Sequence, residues 1–249
     1  MKMNLLQMVQ NILSDMDSEE VNSVSDTNEA EQIAEVLEAT YYNMVSSRFI
    51  PEHSQTIKLV SLSDNTRPTH FKFPERVKKV EFLDYNTSTI SGGVSYTRMK
   101  YLSPYDFFDL VDKRDSEASS ITKVLDVFDG TTLLIKNDVM PTCFTSLDDD
   151  HVILDAYLSS TESTLQASKT RAYGVKIPTF NKTSDTFIPD IDDIMFPYLL
   201  AEAKSTAMSL FKSGSDPKIE QAARRHKSYL QNDMYKLNVG KSRNAYGRR

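Results

Sequence analysis

The chain has 249 residues, of which 39% are hydrophobic and 26% are charged. This length and composition predict a folded protein with a substantial hydrophobic core, organised as one large domain or two small ones. The only cysteine, Cys143, cannot form an internal disulfide, which suits a reducing compartment. No segment is apolar enough for a secretory signal or long enough to span a bilayer, so we expect a soluble protein with no membrane partner.

The net charge of −6 conceals a strong asymmetry along the chain. Residues 212–249 contain ten Lys and Arg against three acidic residues, a net charge of +7, which leaves −13 for the remaining 211 residues. Such a distribution can direct a basic C-terminal segment onto an acidic surface, while the acidic body repels polyanions.

Two amphipathic helices are predicted before residue 50. In residues 3–16 apolar side chains recur with the i, i+3, i+4, i+7 spacing of a helix that buries one face. An acidic, Ser-rich loop follows. A second helix is expected to begin near Asp26, with Glu29 as its capping-box partner, and to end at about Arg48.

Residues 51–190 are expected to form a mostly antiparallel β domain. Short segments rich in Val, Ile, Tyr and Phe alternate with turn residues, and Asp129-Gly130 between two of them predicts a hairpin. A short helix is expected over Tyr105–Lys113. The segments interpreted as strands are Thr56–Leu62, Val77–Tyr85, Val94–Leu102, Val124–Phe128, Thr131–Lys136 and His151–Tyr157.

Helical periodicity returns after Pro189. One helix is expected to bury a face between Phe196 and Phe211, and a second to begin at Asp216-Pro217. The predicted fold class is α+β: a discontinuous helical bundle from both chain ends, with an inserted, mostly antiparallel β domain and an extended C-terminal tail. Its expected parts are residues 1–50 and 191–237 for the bundle, 51–190 for the β-rich domain and 238–249 for the tail.

Catalytic and metal-binding patterns are sparse in this sequence. The four histidines form no zinc motif, and no Gly-rich phosphate-binding loop or G-x-S-x-G elbow occurs, so we predict no enzyme activity, no cofactor and no metal. The strongest metal candidate is Asp148-Asp149-Asp150-His151, whose carboxylates could hold a hard cation. Consecutive residues of an extended chain point in opposite directions, however, which favours a simple turn before a strand.

Several motifs of the C-terminal half occur in a characteristic order. An acidic strand containing Asp148–Asp150 leads into Leu-Gln-Ala-Ser-Lys-Thr and a Pro-x-Phe, and a Phe-Pro-x-Leu-Leu-Ala-Glu-Ala-Lys helix and an Ala-Arg-Arg helix follow. In this order the chain resembles the head-to-tail adaptors of short-tailed bacteriophages, the tail tubular protein A type. The matching residues are Leu165–Thr170, Pro178 to Phe180, Phe196–Lys204 and Ala223–Arg225, and the helix Leu37–Phe49 resembles the N-terminal half of the group.

The resemblance implies a virion structural protein at the head–tail junction, assembled in the host cytoplasm as a homo-oligomeric ring of about twelve copies. The ring would join the portal protein to a tail nozzle or tail tube protein and extend the channel through which viral DNA passes without specific binding. The resemblance assigns the C-terminal segment to the portal, and its basic charge agrees. The expected portal-binding residues are Lys236, Lys241, Arg243, Tyr246, Arg248 and Arg249, with Arg224 and Arg225 as further subunit or portal contacts.

Two alternatives remain open from the sequence. The first is a nucleic-acid-binding module that uses the basic C-terminus, for which stacking side chains between the charges would be the distinguishing feature. The second is a tail hydrolase that uses the carboxylates of Asp148–Asp150.

Overall fold

The computed structural model has an α+β fold. It describes residues 2–47, 50–88, 93–161, 163–212 and, in the segment 217–228, residues 217, 219–221, 223–225, 227 and 228. The chain divides into two compact units. Unit 1 is formed by Met1–Glu52 and Pro178–Arg249, and unit 2 by His53–Ile177.

Unit 1 begins with two helices, α1 (Leu5–Asp15) and α2 (Asn28–Ser47), which pack against each other. A capping box precedes α1: the side chain of Asn4 accepts a hydrogen bond from the Gln7 backbone N–H, and the Gln7 side chain accepts one from the Asn4 backbone. The apolar stripe predicted over residues 3–16 is the buried face of α1.

The N-terminus of α2 differs from the sequence prediction by one residue. Its cap is Thr27, whose hydroxyl accepts a hydrogen bond from the Ala30 N–H at 3.1 Å. The carboxylate of Asp26 accepts the N–H groups of Asn22 and Ser23 instead. The predicted capping box starting at Asp26 is therefore wrong, because that side chain closes the preceding loop.

The C-terminal part of unit 1 contains α5 (Phe196–Phe211), which contacts both α1 and α2. Pro197 lies in its first turn, where a missing N–H costs nothing. Leu199, Ala203 and Ala207 are fully buried, and the two alanines allow close approach of the neighbouring helices. The described residues of the segment 217–228 are also helical, and Ala223 is buried among them.

The boundary between the units on the C-terminal side lies at Ile177–Pro178, whereas the sequence placed residues 178–190 in the β-rich domain. Phe180 explains the difference, because its ring packs against Tyr41 of α2 and its N–H donates to the Tyr42 hydroxyl at 3.0 Å. Further along, the Asp185 carboxylate accepts the Val24 N–H at 2.9 Å. These contacts bind the segment to the helices of unit 1.

Unit 2 contains two main sheets. Sheet A has the order β1 (Ser54–Ile57), β11 (Thr170–Lys176), β4 (Val77–Asn86) and β5 (Tyr96–Arg98), all antiparallel. Sheet B has the order β2 (Val60–Ser61), β3 (His70–Lys72), β10 (His151–Leu154), β9 (Cys143–Thr145) and β6 (Lys100–Tyr101), with only β6 and β9 parallel.

Sheet B lies between two hydrophobic clusters. On one face Phe71, Val152 and Leu154 pack with Leu83 and Tyr85 of sheet A. On the other face Ile153 packs with the helix α3 (Pro104–Asp112) and the hairpin of β7 (Ile121–Leu125) and β8 (Thr132–Lys136). Unit 2 therefore has three layers: sheet A, sheet B, and a layer formed by α3 and the hairpin.

Two of the predicted strands are each divided between the sheets. Residues 56–62 supply β1 to sheet A and β2 to sheet B. Residues 94–102 divide at the buried Met99, whose N–H donates to Leu83 of sheet A, while the next N–H, of Lys100, donates to Thr142 beside sheet B. The helix after Ser103 and a hairpin around Asp129-Gly130 are confirmed. The first strand of the hairpin is Ile121–Leu125, however, and not the predicted Val124–Phe128, because Asp126 and Phe128 belong to the turn. The strands β3, β9 and β11 and the short helix α4 (Ser163–Ser168) were not predicted.

Gly174 lies in β11 where a bulge brings the backbone of β4 very close. A Cβ at this position would lie 2.1 Å from the Lys79 carbonyl oxygen and 2.9 Å from the Cα of Val80. We expect Gly174→Ala to lower the free energy of unfolding by about 3 kcal/mol, because the two strands must separate. Urea denaturation of the full chain measures this change.

Gly130→Ala provides the matched control. The space around Gly130 is open, so only its backbone conformation, with φ of 71°, opposes a side chain, and we expect a loss of about 1 kcal/mol. Equal losses of unfolding free energy for Gly174→Ala and Gly130→Ala would show that crowding between β11 and β4 does not decide the effect.

Candidate functional site

The predicted portal-binding residues are all in the C-terminal segment. Lys236, Lys241, Arg243, Tyr246, Arg248 and Arg249 lie outside the described residues, as does the whole predicted tail.

The arginine pair expected to make contacts is described. Arg224 and Arg225 are both exposed among the described helical residues between 217 and 228, and Lys227 beside them is exposed as well. Arg224 forms an ion pair with Glu220 one turn earlier, at 3.2 Å, but its side chain remains 81% exposed. These positive charges are therefore accessible to a partner.

The acidic segment before β10 forms a tight turn. Asp148 accepts the backbone N–H groups of Asp150 and His151, and its second carboxylate oxygen lies 2.5 Å from Nδ1 of His151. Asp149 has a positive φ of 60°, which completes the reversal. Burial alone would raise the pKa of the Asp148 carboxyl, but its hydrogen bonds to His151 hold the pKa below its ordinary value. Asp148 is thus committed to the turn.

No metal site is formed by this turn. Across the part of the chain that the structure describes, no three His, Cys, Asp or Glu side chains come close enough together to hold a metal ion.

A buried histidine connects β3 to the hairpin. Nε2 of His70 lies 3.3 Å from a carboxylate oxygen of Asp126, and both side chains are almost completely buried. Burial lowers the pKa of His70, and the nearby charges of Arg67 and His151 lower it further, against the opposing effect of Asp126. His70 is therefore neutral near pH 7, and the pair is a polar contact between layers, not an ion pair.

A second polar group crosses three strands of sheet A. Arg171 of β11 and Arg98 of β5 are both register neighbours of Asp84 in β4, and their guanidinium groups contact its carboxylate at 2.9 and 2.7 Å. Burial alone would raise the pKa of Asp84, but the two arginines hold it below its ordinary value. Each guanidinium also stacks on a ring, Arg98 on Phe82 and Arg171 on Tyr96.

Two further buried groups join distant segments. The Arg114 guanidinium donates to the backbone oxygens of Leu134 and Asp155 at 2.7 Å each, and thereby ties the end of α3 to β8 and to the residue after β10. The Tyr85 hydroxyl donates to Gln166 of α4, and burial raises the pKa of this tyrosine to about 12. The charged and polar groups inside unit 2 thus connect strands of one sheet, as Asp84 does, or different layers, as His70 and Arg114 do.

Two surface features of unit 2 were not predicted from the sequence. A groove of about 750 Å³ lies between the first half of β4 and the edge of sheet B, and Val77, Val80, Tyr101 and Phe144 contribute to its walls. At the turn of the β7–β8 hairpin, Phe128 is 79% exposed. The sequence offered one signal for the exposed side chain: a phenylalanine directly before the polar turn residues Asp129-Gly130.

Comparison with known proteins does not assign a family. No protein-family model matches the chain, and no curated protein sequence is significantly similar to it. Within the described residues, no helix combines the length and the apolar character that crossing a membrane requires.

The low pKa of His70 predicts a pH-dependent stability. Because the folded protein holds this imidazole neutral, the unfolded chain binds more protons below the ordinary histidine pKa of about 6.5, and stability falls as the pH falls through that value. We expect the free energy of unfolding to decrease between pH 7.5 and pH 5.5, with a contribution from His70 of at most about 1.4 kcal/mol per pH unit.

Urea denaturation at several pH values, compared with His70→Asn, isolates this contribution. Asparagine keeps a polar group beside Asp126 but does not titrate, so the variant should lose less stability on acidification, whatever its stability at pH 7.5. Parallel pH profiles for the two proteins would show that His70 does not titrate as its burial implies.

Proposed function

We propose that this protein is a virion structural protein, the head-to-tail adaptor of a short-tailed bacteriophage. In this role it forms a ring below the portal, extends the DNA channel and presents its far side to a tail nozzle or tail tube protein. The helices of unit 1 belong to a discontinuous bundle from both chain ends, and residues 238–249 are an extended tail that binds the portal.

The observation that carries the proposal is the exposed basic surface that leads into the C-terminal segment. Arg224, Arg225 and Lys227 face solvent, and the segment beyond them adds five further Lys and Arg up to residue 249 without a single acid after Asp233. The rest of the chain is strongly acidic. A basic end on an acidic body favours a protein that attaches by its end and avoids binding duplex DNA elsewhere.

The ordered motifs that carry the resemblance support the same role. Phe196–Lys204 begins α5, and Pro178 to Phe180 anchors on α2, so two of these motifs serve the packing of unit 1. Leu165–Thr170 covers most of α4 and the start of β11. Three of the four motifs therefore contribute to helices, strands or packing of the fold, while Arg224 and Arg225 of the fourth are exposed.

The contacts of Asp148 in the acidic turn count against a catalytic role of this carboxylate in the hydrolase alternative. Asp148 is engaged by two backbone N–H groups and by His151, which leaves it poorly suited to exchange protons with a substrate.

Deleting residues 238–249 is expected to abolish stable attachment to the cognate portal ring and to leave the melting temperature unchanged. Ordering such a segment costs roughly 1–2 kcal/mol per residue in backbone entropy, which only a partner with matching charge and a pocket for Tyr246 can offset. Co-purification with portal rings and thermal denaturation measure the two effects. Undiminished co-purification would contradict a portal-binding tail.

The substitutions Arg224→Gln and Arg225→Gln, made together, provide a companion variant on exposed, described residues. They remove two positive charges without touching the tail. We expect a weaker attachment that depends on salt concentration, since charge attraction acts mainly on the rate of association.

The nucleic-acid alternative is tested by binding to duplex DNA. We expect no binding by the full chain at micromolar protein concentration in 150 mM salt, near the tighter limit of ordinary non-specific affinity. Fluorescence anisotropy with a labelled duplex measures this. Micromolar binding that disappears when residues 238–249 are deleted would favour the nucleic-acid module over the adaptor.

A further inference from the structure

Two exposed arginines hold fixed positions on the outer face of sheet A, the face turned away from sheet B. Leu83 and Tyr85 of β4 point into the hydrophobic cluster between the sheets. Because side chains alternate along a strand, Asp84 points to the outer face, together with its register neighbours Arg98 and Arg171. The Asp84 side chain is 5% exposed, whereas those of Arg98 and Arg171 are 61% and 47% exposed. The carboxylate is thus covered by two guanidinium groups that remain accessible.

Both guanidinium groups are held in place and still have donors to spare. Arg98 donates its Nε–H to one oxygen of the Asp84 carboxylate, and Arg171 donates from Nη2 to the other. The Phe82 ring lies 3.8 Å from the first guanidinium, and the Tyr96 ring lies 4.0 Å from the second. Within the described part of the chain these are the hydrogen bonds of the two arginines, although a guanidinium has several more N–H donors.

The spare donors suit a carboxylate from outside the fold. Two guanidinium groups bound to the two oxygens of one carboxylate lie close together, so a second carboxylate can bridge them. The group of Arg98, Asp84 and Arg171 has one uncompensated positive charge, which one further carboxylate neutralises. Binding costs little side-chain entropy, because Asp84 and the two rings already restrain both arginines.

Sheet A is a basic region of an otherwise acidic chain. Its four strands contain five Lys and Arg against two acidic residues, whereas residues 1–211 together carry a net charge of −13. Lys78, Lys79 and Glu81 line the groove beside β4, so the positive charge of the outer face comes from Arg98 and Arg171. This face therefore attracts an acidic surface at short range.

The N-terminal part of unit 1 provides an acidic surface that is not neutralised. Met1–Glu52 contain ten acidic residues and two basic ones. Asp15 and Asp17, at the end of α1 and just after it, each form an ion pair with a lysine of unit 1. Glu19 and Glu20, in the loop that follows, are exposed, and within the described residues neither forms an ion pair or a hydrogen bond. Their carboxylates are free to bind a second copy.

We propose that Glu19 and Glu20 of one copy bind the guanidinium pair of Arg98 and Arg171 on sheet A of the next copy. This inference rests on the proposed ring assembly and names a contact that repeats around the ring. The two surfaces differ, and contacts of this heterologous kind generate rings when the rotation closes. Because exposed ion pairs contribute little singly, the contact is weak in isolation and gains strength when the portal aligns the copies.

Self-association of the full chain at low salt, measured by sedimentation velocity, tests the contact. The substitutions Glu19→Lys and Glu20→Lys, made together, turn two attractive pairs into repulsive ones on an exposed loop. We expect self-association about ten-fold weaker than in the wild-type chain, which itself weakens as the salt concentration rises.

The matched control is the double variant Asp112→Lys and Asp138→Lys. It changes the net charge by the same amount at exposed positions of unit 2. A general charge effect would strengthen self-association in both double variants, because each makes the acidic chain less repulsive. We therefore expect no weakening in the control. Equal changes in the two double variants, or a wild-type chain that stays monomeric at low salt, would overturn the proposal.

Conservative substitutions on sheet A test the role of the guanidinium groups. Arg98→Lys and Arg171→Lys, made together, keep both positive charges and leave the buried Asp84 with partners, so the chain should remain folded by circular dichroism. Lysine lacks the planar fork of donors that bridges a carboxylate, and we expect self-association about five-fold weaker. Unchanged self-association of the folded variant would overturn the assignment of the site to this pair.

Carbodiimide coupling identifies the carboxylates in contact. In the single variant Arg98→Lys, the introduced amine forms an amide with a carboxylate that touches it. When isotope-labelled and unlabelled copies are mixed, we expect a cross-linked peptide that joins position 98 of one copy to Glu19 or Glu20 of the other. Cross-links from position 98 to other acidic residues alone would overturn the proposed contact.

Duplex DNA is the other anionic partner that two arginines could bind. The acidic body disfavours it, because a long polyanion of high charge density is repelled by the surface around sheet A. Duplex binding by the wild-type chain that is lost in the double variant Arg98→Lys and Arg171→Lys would assign the site to nucleic acid and overturn the contact between copies.

The portal experiment separates the two proposals. If Glu19→Lys with Glu20→Lys leaves self-association unchanged but attachment to portal rings still depends on residues 238–249, this contact is wrong and the adaptor function stands. If these substitutions weaken self-association but the wild-type chain does not bind portal rings, the chain assembles through this contact in a role other than adaptor.

Discussion

In sheet A, β11 lies between β1 and β4 and pairs with both along most of its length, although it comes from the end of unit 2 and β1 comes from its beginning. Ser54 faces Val175 in this pairing, so the chain enters and leaves unit 2 at adjacent points. Because the two points meet, the segments before and after unit 2 can both contribute helices to unit 1. The pairing of β1 with β11 closes a loop that contains all the rest of unit 2. Burial of the hydrophobic cluster between the sheets offsets the entropic cost of closing this loop.

Polar groups inside unit 2 connect further segments that are distant in sequence, both within sheet A and between layers. Asp84 is shared by two arginines from the strands on either side, His70 meets Asp126 between sheet B and the hairpin, and Arg114 joins α3 to β8. Asp84, His70 and Asp126 are buried, and a buried polar group without a partner is costly. Removing the partner of one of them is therefore expected to destabilise the unit more than the contact itself contributes.

What remains accessible on the surface is of two kinds. The exposed helical residues Arg224 and Arg225 suit long-range attraction to an acidic partner, and the exposed Phe128 in the turn of the β7–β8 hairpin suits short-range apolar contact. Charge attraction determines how quickly partners meet and is screened by salt, whereas a buried aromatic anchor determines how long they stay.

The sequence by itself determined the local elements. The helices α1, α3 and α5 and the β7–β8 hairpin follow from apolar periodicity, caps and the Asp129-Gly130 turn, all of which act within a few residues. Only the tertiary structure decided which segments form β11, β3 and β9, because Thr170–Lys176 contains a glycine and charged residues and becomes a strand through partners on both sides. The tertiary structure also decided the contact of Asp84 with its two arginines and the groove beside β4. Both are formed by residues that are distant in sequence and that only strand pairing brings together.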